Sequence, residues 1–465
     1  MRTNRNSRFA LRVFRIAAII GVGGLAHAQS VVVESPNVTD GVNRFPDSLS
    51  LSRFDWTGDG NRDVIARASQ EDVPGAANSD AGRVYVIDAA GGVPLQTLTR
   101  PTPEALAFFG AGAADIEDVS GDVGLDFVIG APGEGATPNQ FGRVWILDGT
   151  TGAEISQIDS PTPTDFGSFG QHVAALEVIL GNGVAEAAIS APGEGNGQVH
   201  LLNPTTRAFV WTATTEAAGA RFGHSLATMP DVDGDEVRDL VVGARSETVS
   251  GLGNAGRVYV ISGATGVSIG DVASPNPEAL GAFGEVVVGL DDVTGDGVGD
   301  FAVGAPFEAV NSVDNAGRVY IVDGASLSVY RVLTFIAAGT AAQGGRFGQS
   351  IAIVPDMTDD GADELIVGEP GKDTSGMVDS GGAYVLDVVS GETLIVLESL
   401  SPESFGAFGL SVLGVEDLAS DEDRKGELVV GAPDENSGQG RLYFYSSAEF
   451  DRVPGAGQLH GRITD

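Results

Sequence analysis

Apolar residues fall along this chain in short alternating runs, set apart by clusters of glycine, aspartate, serine and proline. One run recurs about every sixty residues: GRVYVID from Gly82, GRVWILD from Gly142, GQVHLLN from Gly197, GRVYVIS from Gly256, GRVYIVD from Gly317, GAYVLD from Gly382 and GRLYFYS from Gly440. Alternation built from β-branched and aromatic residues predicts a strand after a glycine turn. A second run precedes each copy, as in DFVIGAP from Asp126, DLVVGAR from Asp239 and ELVVGAP from Glu427. It is apolar on both faces, so it predicts a buried strand, and the proline that closes several copies marks the strand's end. A third phrase comes earlier in each unit, as in RFGHSLATMPD and AFGEVVVGLDD, and a variable fourth strand follows the GRVYVID run.

One unit is therefore four strands with no amphipathic helix. A small sheet of that size cannot bury both its faces, whereas seven packed radially can. The expected fold is all-β, a seven-bladed β-propeller of four-stranded blades. The seventh unit stops near Ser446, one strand short, and VVVE at Val31–Glu34 supplies a candidate for the missing strand. The two ends of the chain would then share one blade and close the ring. Part of the tail filling that place is the alternative. The expected domains are a leader over 1–28, the propeller over 29–446 and a C-terminal tail over 447–465.

The first and second strands of a unit are joined by one acidic loop. It reads DWTGDGNRD from Asp55, DVSGDVGLD from Asp118, DVDGDEVRD from Asp231, DVTGDGVGD from Asp292 and DMTDDGADE from Asp356. Side chains at positions 1, 3 and 5 of a tight loop converge, position 7 offers a backbone carbonyl, and the carboxylate at position 9 can close the shell. Ca²⁺ takes six to eight hard oxygens in a flexible geometry, while Mg²⁺ asks for a stricter octahedron. The loops offer no nitrogen or sulfur for a transition metal. The expected metal ligands are Asp55, Thr57, Asp59, Asn61 and Asp63 in the first loop, and Asp118, Ser120, Asp122, Gly124 and Asp126 in the second. They continue with Asp231, Asp233, Asp235, Val237 and Asp239, then Asp292, Thr294, Asp296, Val298 and Asp300. The last set is Asp356, Thr358, Asp360, Ala362 and Glu364. About five Ca²⁺ ions are expected. The third unit has VILGNGVAE from Val178, apolar at positions 1 and 3, and keeps only the hairpin. The seventh has the longer DLASDEDRKGE from Asp417, where Asp417, Asp421, Asp423 and Glu427 leave a sixth site open.

Composition narrows the setting. With 64 acidic and 26 basic residues the net charge is −38, which disfavours nucleic acid and anionic membranes and suits divalent cations. The N-terminus has five arginines, then the apolar IAAIIGVGGL, then Ala26-His27-Ala28, the pattern of a Sec-type secretory leader. An uncleaved anchor is the alternative reading, although the apolar run is short for a membrane span. Loss of the leader takes the charge from −38 to −43. Cysteine is absent from the whole sequence, so disulfides, thiol catalysis and Cys-based zinc sites are excluded.

RFGHS, DVDGDEVRDLVVGAR and GRVYVIS, all in the fourth unit, resemble the FG-GAP repeats of the integrin α N-terminal β-propeller. The resemblance covers about Val31 to Ser446 in seven copies. It implies a seven-bladed ring with Ca²⁺ in hairpin loops on one rim. It does not by itself carry a ligand, because fold does not fix function.

Three functions are weighed. The first is an exported calcium-binding module for binding or adhesion, with an extracellular protein or glycan met on the rim opposite the metal loops or at the central channel. The second is a structural component of an envelope or matrix. The third is a propeller-based hydrolase or lyase. The sequence lacks H-E-x-x-H, G-x-S-x-G and G-x-x-x-x-G-K-[ST], so the chain is read as a non-enzyme. The expected location is secreted, cell-surface or periplasmic, with no membrane span after leader cleavage and no nucleic-acid partner. The sequence leaves the oligomeric state open.

Overall fold

The computed structural model describes residues 31–37, 43–73, 80–135, 140–181, 183–335, 344–358, 360–374, 376–416 and 427–445, with the backbone of 13–15 and 459–460. Seven antiparallel sheets form the blades of a β-propeller. The blades run over residues 48–98, 113–159, 173–214, 225–273, 286–333, 350–397 and 411–445, the last completed by 31–34. In blade four the strands are Ser225–Met229, Asp239–Ala244, Arg257–Ile261 and Ser268–Ala273. First strands pack side by side from blade two round to blade seven, and Ser411–Val415 of blade seven meets Ser48–Leu51 of blade one.

Burial follows the order of strands from the axis outward. Every residue of the second strands Asp126–Ala131, Asp239–Ala244, Asp300–Ala305 and Glu427–Ala432 is buried. The fourth strands lie at the perimeter and alternate, as in Ala208–Thr214. Apolar clusters span neighbouring blades, so each sheet buries the face that it cannot cover itself.

The recurrent Phe-Gly pair is explained by this packing. Phe109, Phe169, Phe222, Phe283, Phe347 and Phe408 are fully buried between blades. A Cβ at Gly243 would stand 2.2 Å from the carbonyl oxygen of Gly284 in the next blade. Gly256, which opens GRVYVIS, has φ +93° and would place a Cβ 2.0 Å from the Phe283 carbonyl oxygen. Only glycine fits that approach and that dihedral.

The N-terminal strand closes the ring. Val31–Glu34 pairs antiparallel with Arg441–Tyr445, from Val31 opposite Phe444 to Glu34 opposite Arg441. Phe45 takes the Phe-Gly place of blade one, and Arg44 reaches back to Asp434 of blade seven at 3.0 Å. The tail does not take the missing place: Leu459–His460 pairs in parallel with the outer strand Thr393–Leu397 of blade six. Val13–Arg15 adds a further edge strand beside Val31–Glu34. The rest of the expected leader and tail, with 417–426 of the seventh loop, lies outside the described residues. Among the described residues no helix is long and apolar enough to cross a membrane.

The antiparallel order fixes two faces. The loops joining strands one to two, and three to four, lie at one end of every blade. The loops joining two to three, and each blade to the next, lie at the other.

Candidate metal loops and the opposite face

The five acidic loops lie on one face, each between the first and second strands of its blade, and share one hydrogen-bond scheme. The position 1 carboxylate accepts backbone N–H groups from the loop it starts. Asp55 accepts from Gly58 at 2.6 Å and Gly60 at 2.7 Å, Asp231 from Gly234 and Glu236 at 2.7 Å each, and Asp292 from Gly295 at 2.6 Å and Gly297 at 2.7 Å. Asp118 does the same with Gly121 and Val123, and Asp356 with Thr358 and Gly361. These donors hold the carboxyls of Asp55, Asp118 and Asp292 below their ordinary range.

Position 5 accepts from position 7: Asp59, Asp122, Asp235, Asp296 and Asp360 take the N–H of Asn61, Gly124, Val237, Val298 and Ala362 at 2.8–2.9 Å. Each position 7 N–H is thus tied inside its loop. The position 3 hydroxyls join the set. Ser120 Oγ lies 3.1 Å from both Asp118 and Asp122, Thr57 Oγ1 is 3.1 Å from Asp55, and Thr294 Oγ1 is 3.3 Å from Asp292. Thr358 lies in the same place in blade six, its N–H on Asp356.

Position 9 is different, because it begins the buried second strand. Asp63, Asp126, Asp239, Asp300 and Glu364 are all at most 1% exposed. Each accepts the N–H of position 2, at 2.6–2.8 Å, from Trp56, Val119, Val232, Val293 and Met357. Burial pushes all five up, Asp239 to about 6 and Glu364 to about 7.

In blade four, oxygens of Asp231, Asp233 and Asp239 all lie within 4.8 Å of one another. Asp235 is not in that group; its Oδ1 is turned to the Val237 N–H. An all-oxygen, anionic donor set is the chemistry that hard divalent cations take, and the loops fit it. Blade three keeps the hairpin bond, Ile179 N–H to Glu186 at 2.8 Å, but exposes Val178 and Leu180 where the other loops carry oxygen.

The opposite face carries a feature outside the acidic and Phe-Gly motifs. Glu71, Glu134, Glu194, Glu308 and Glu435 are buried in the loops after the second strands, each next to the aromatic or imidazole residue of the GRVY run. Trp145 Nε1 donates to Glu134 at 2.7 Å, and Tyr259 Oη to the nearly buried Glu247 at 2.8 Å. A signal was present. Glutamate follows four residues after the close-packed second-strand position in six blades, while blade six puts Lys372 there and shifts its acid to Glu369.

Comparison with known proteins agrees with this architecture. Residues 222–261 and 283–322, in blades four and five, match the FG-GAP repeat family model. The chain is 37% identical over 152 residues to integrin alpha-PS2 of Drosophila melanogaster, a match that covers 30% of this chain and 10% of that protein. It is 28% identical over 269 residues to mouse integrin alpha-8, covering 53% of this chain and 25% of that one. With chicken integrin alpha-V the identity is 31% over 212 residues, covering 43% and 20%. The matches thus span a quarter or less of these relatives.

Proposed function

We propose that this integrin alpha-like FG-GAP propeller is an exported binding module, braced by calcium in its acidic loops, that meets a protein or glycan outside the cell on the face away from those loops. The observation that carries the reading is a set of exposed apolar residues in the loops between blades. Leu106, Phe166, Leu280 and Phe405 are 40%, 61%, 64% and 63% exposed. All four are left-handed, with φ of 56°, 59°, 69° and 65°.

Gly219 and Gly344 hold the equivalent place in two other loops, with φ of 71° and 88°. The turn therefore needs a positive φ, and glycine meets that need at least strain. A leucine or phenylalanine there costs ~1–2 kcal/mol in backbone energy and buries little in return. Strain and exposed apolar surface together favour a contact role. The patch is widened by the neighbouring loops: Leu280 N–H donates to Gly253 at 2.9 Å and Phe405 N–H to Val378 at 2.7 Å, beside the exposed Leu252 and Met377. The calcium-filled loops would stiffen the far ends of the same hairpins, a role that suits a chain without disulfides.

The test is retention of the calcium-loaded chain on immobilised extracellular proteins and on a glycan array. Binding that disappears in a Phe166→Gly, Phe405→Gly double variant of unchanged melting temperature supports the reading. Binding that survives the double substitution removes this face from it. No binding, with a discrete oligomer that the same substitutions dissociate, favours the structural envelope or matrix role instead.

A further inference from the structure

Blade three breaks the rule by which the other blades hold a buried acid. Arg83, Arg143, Arg257, Arg318 and Arg441 lie 2.6–3.4 Å from Glu71, Glu134, Glu247, Glu308 and Glu435, and blade six sets Lys372 near Glu369. Each of these acids also takes a hydrogen bond from a tyrosine or tryptophan of the third strand. Blade three reads GQVHLLN, so Gln198 stands in place of the arginine and His200 in place of the aromatic donor. Two departures that meet on one acid, Glu194, make this blade a candidate for function.

Glu194 and His200 are both fully buried, with His200 Nε2 3.5 Å from Glu194 Oε2. Neither His200 Nε2 nor Glu194 Oε1 has a hydrogen-bond partner. Glu194 Oε2 accepts from Thr162 Oγ1 at 2.8 Å, and His200 Nδ1 lies 2.9 Å from Thr212 Oγ1. A buried carboxylate without a cation is costly, and His200 is the group placed to supply one. The ring packs on Phe169 and Phe209. The strands on either side of it, Ala187–Ala191 and Ala208–Thr214, carry no ionisable residue. Asp165, in the loop above, is exposed, and Arg143 of blade two is engaged by Glu134 and Asp159. That loop is the one that presents Phe166. It rests on the pair through Thr162, through the Gly193 N–H on the Gly167 carbonyl at 3.0 Å, and through Phe169. The fit is close: a Cβ at Gly167 would stand 2.9 Å from Glu194 Cγ, and one at Gly193 2.0 Å from the Phe166 carbonyl oxygen.

We propose that Glu194 and His200 form a proton-operated lock on the Phe166 loop. Imidazole is the side chain that ordinarily changes charge between pH ~5 and ~8. Proton uptake by His200 turns the 3.5 Å approach into a charge-assisted hydrogen bond to Glu194, which draws in Thr162 and the turn at Gly167. Proton loss leaves the carboxylate to Thr162 alone, and the loop loosens. The lock is thus closed in mild acid and opens as pH rises. That it regulates binding at Phe166 rests on the reading of that face given above; the lock itself does not.

The experiment uses the full chain in saturating Ca²⁺, with no ligand. NMR follows the His200 ring protons from pH 5 to pH 8, assigned by their loss in His200→Tyr. Amide hydrogen exchange of residues 160–170, corrected for intrinsic rates, is compared at pH 5.5 and pH 8. His200 should take up a proton within the range, and loop protection should be tenfold or more greater at pH 5.5. Gln198→Arg restores the fixed cation of the other blades and His200→Tyr their aromatic donor, so each should remove the difference; if one does not fold, the other decides. A ring that keeps one protonation state throughout, protection that does not change with pH, or a difference that the variants retain overturns the proposal. Such a failure would leave the apolar contact face standing, because no ligand enters the measurement.

Discussion

Tyr85 Oη lies 2.8 Å from both carboxylate oxygens of Glu71, and Glu71 is fully buried. The same pair recurs around the ring. Tyr320 donates to Glu308, Tyr384 to Glu369 and Tyr443 to Glu435, with Trp145 and Tyr259 doing so in blades two and four. In blade three His200 Nε2 stands 3.5 Å from Glu194. An arginine covers the pair in several blades, as Arg83 does at 2.8 Å from Glu71. Each pair ties the loop after the second strand to the third strand. The face that presents the variable loops is thus held by buried polar anchors, as the other face is held by its acidic hairpins.

Breaking one such pair on the donor side leaves a buried carboxylate short of a partner. Tyr85→Phe keeps the packing against Phe45, whose ring centroid is 5.4 Å away, and removes only the hydroxyl. The expected loss is ~1.5–3 kcal/mol, the range for a hydrogen bond to a charged group. Urea unfolding at pH 8 measures it. A midpoint equal to that of the parent would mean that Arg83 alone satisfies Glu71.

The same carboxyls give stability a pH dependence. Burial pushes Glu71 and Glu369 from an ordinary 4.5 to about 7, against the opposing pull of Arg83 or Lys372 and of the tyrosine hydroxyls. Between those values the folded chain holds more protons than the unfolded one. The contribution of these groups is then full below about 4.5 and is lost as pH rises through about 7. Asp55, Asp118 and Asp292 have the opposite sign, since their lowered values make a contribution that is lost only as pH falls below the ordinary 3.8. In saturating Ca²⁺ the melting temperature should fall from pH 5.5 to pH 8, and Glu71→Gln with Glu369→Gln should flatten the fall. An unchanged slope in the double variant would assign the effect to other groups.

Calcium in the loops predicts a conditional defect. Asp235 accepts the Val237 backbone N–H, so without calcium its removal costs little. With Ca²⁺ in hundredfold excess over its dissociation constant a filled site adds ~2.7 kcal/mol to stability, and Asp235→Ala forfeits most of it. Calorimetry in EDTA and in millimolar Ca²⁺, with bound metal counted, should show parent and variant close together in EDTA and well apart in calcium. Equal melting in calcium would leave that loop an acidic turn.

What could be read in advance was whatever repeats along the chain. The GRVYVID and DLVVGAR runs are strands because their alternation and β-branching are local facts, and the phenylalanine of Phe-Gly is buried because every blade needs the same interblade wedge. The closing strand was legible because the last unit ran out at Ser446 while Val31–Glu34 had no unit of its own. The Glu71–Tyr85 pairing was hidden because its glutamate lies in a loop, where an acid reads as solvation. The left-handed Leu106 and Phe166 were hidden because dihedrals leave no mark on residue identity, although Gly219 in the same register was a clue.

The closing strand makes the sharpest structural prediction. Val33 is 1% exposed, pairs with Leu442, and packs with Phe45, Leu49 and Leu413, so it belongs at once to blade seven and to the wedge between blades seven and one. A charge at Val33 has no partner, and a buried unpaired carboxylate is among the few changes that cost ~3 kcal/mol or more. Leu95 lies on the outer strand of blade one and is 41% exposed. Val33→Asp should therefore lower the unfolding midpoint strongly, while Leu95→Asp should stay within ~0.5 kcal/mol of the parent. Should the two variants unfold alike, Val31–Glu34 would not be the strand that locks the ring. A large loss confined to Val33→Asp would mean that the seventh blade, and with it the whole circle, depends on residues more than four hundred positions away in the chain.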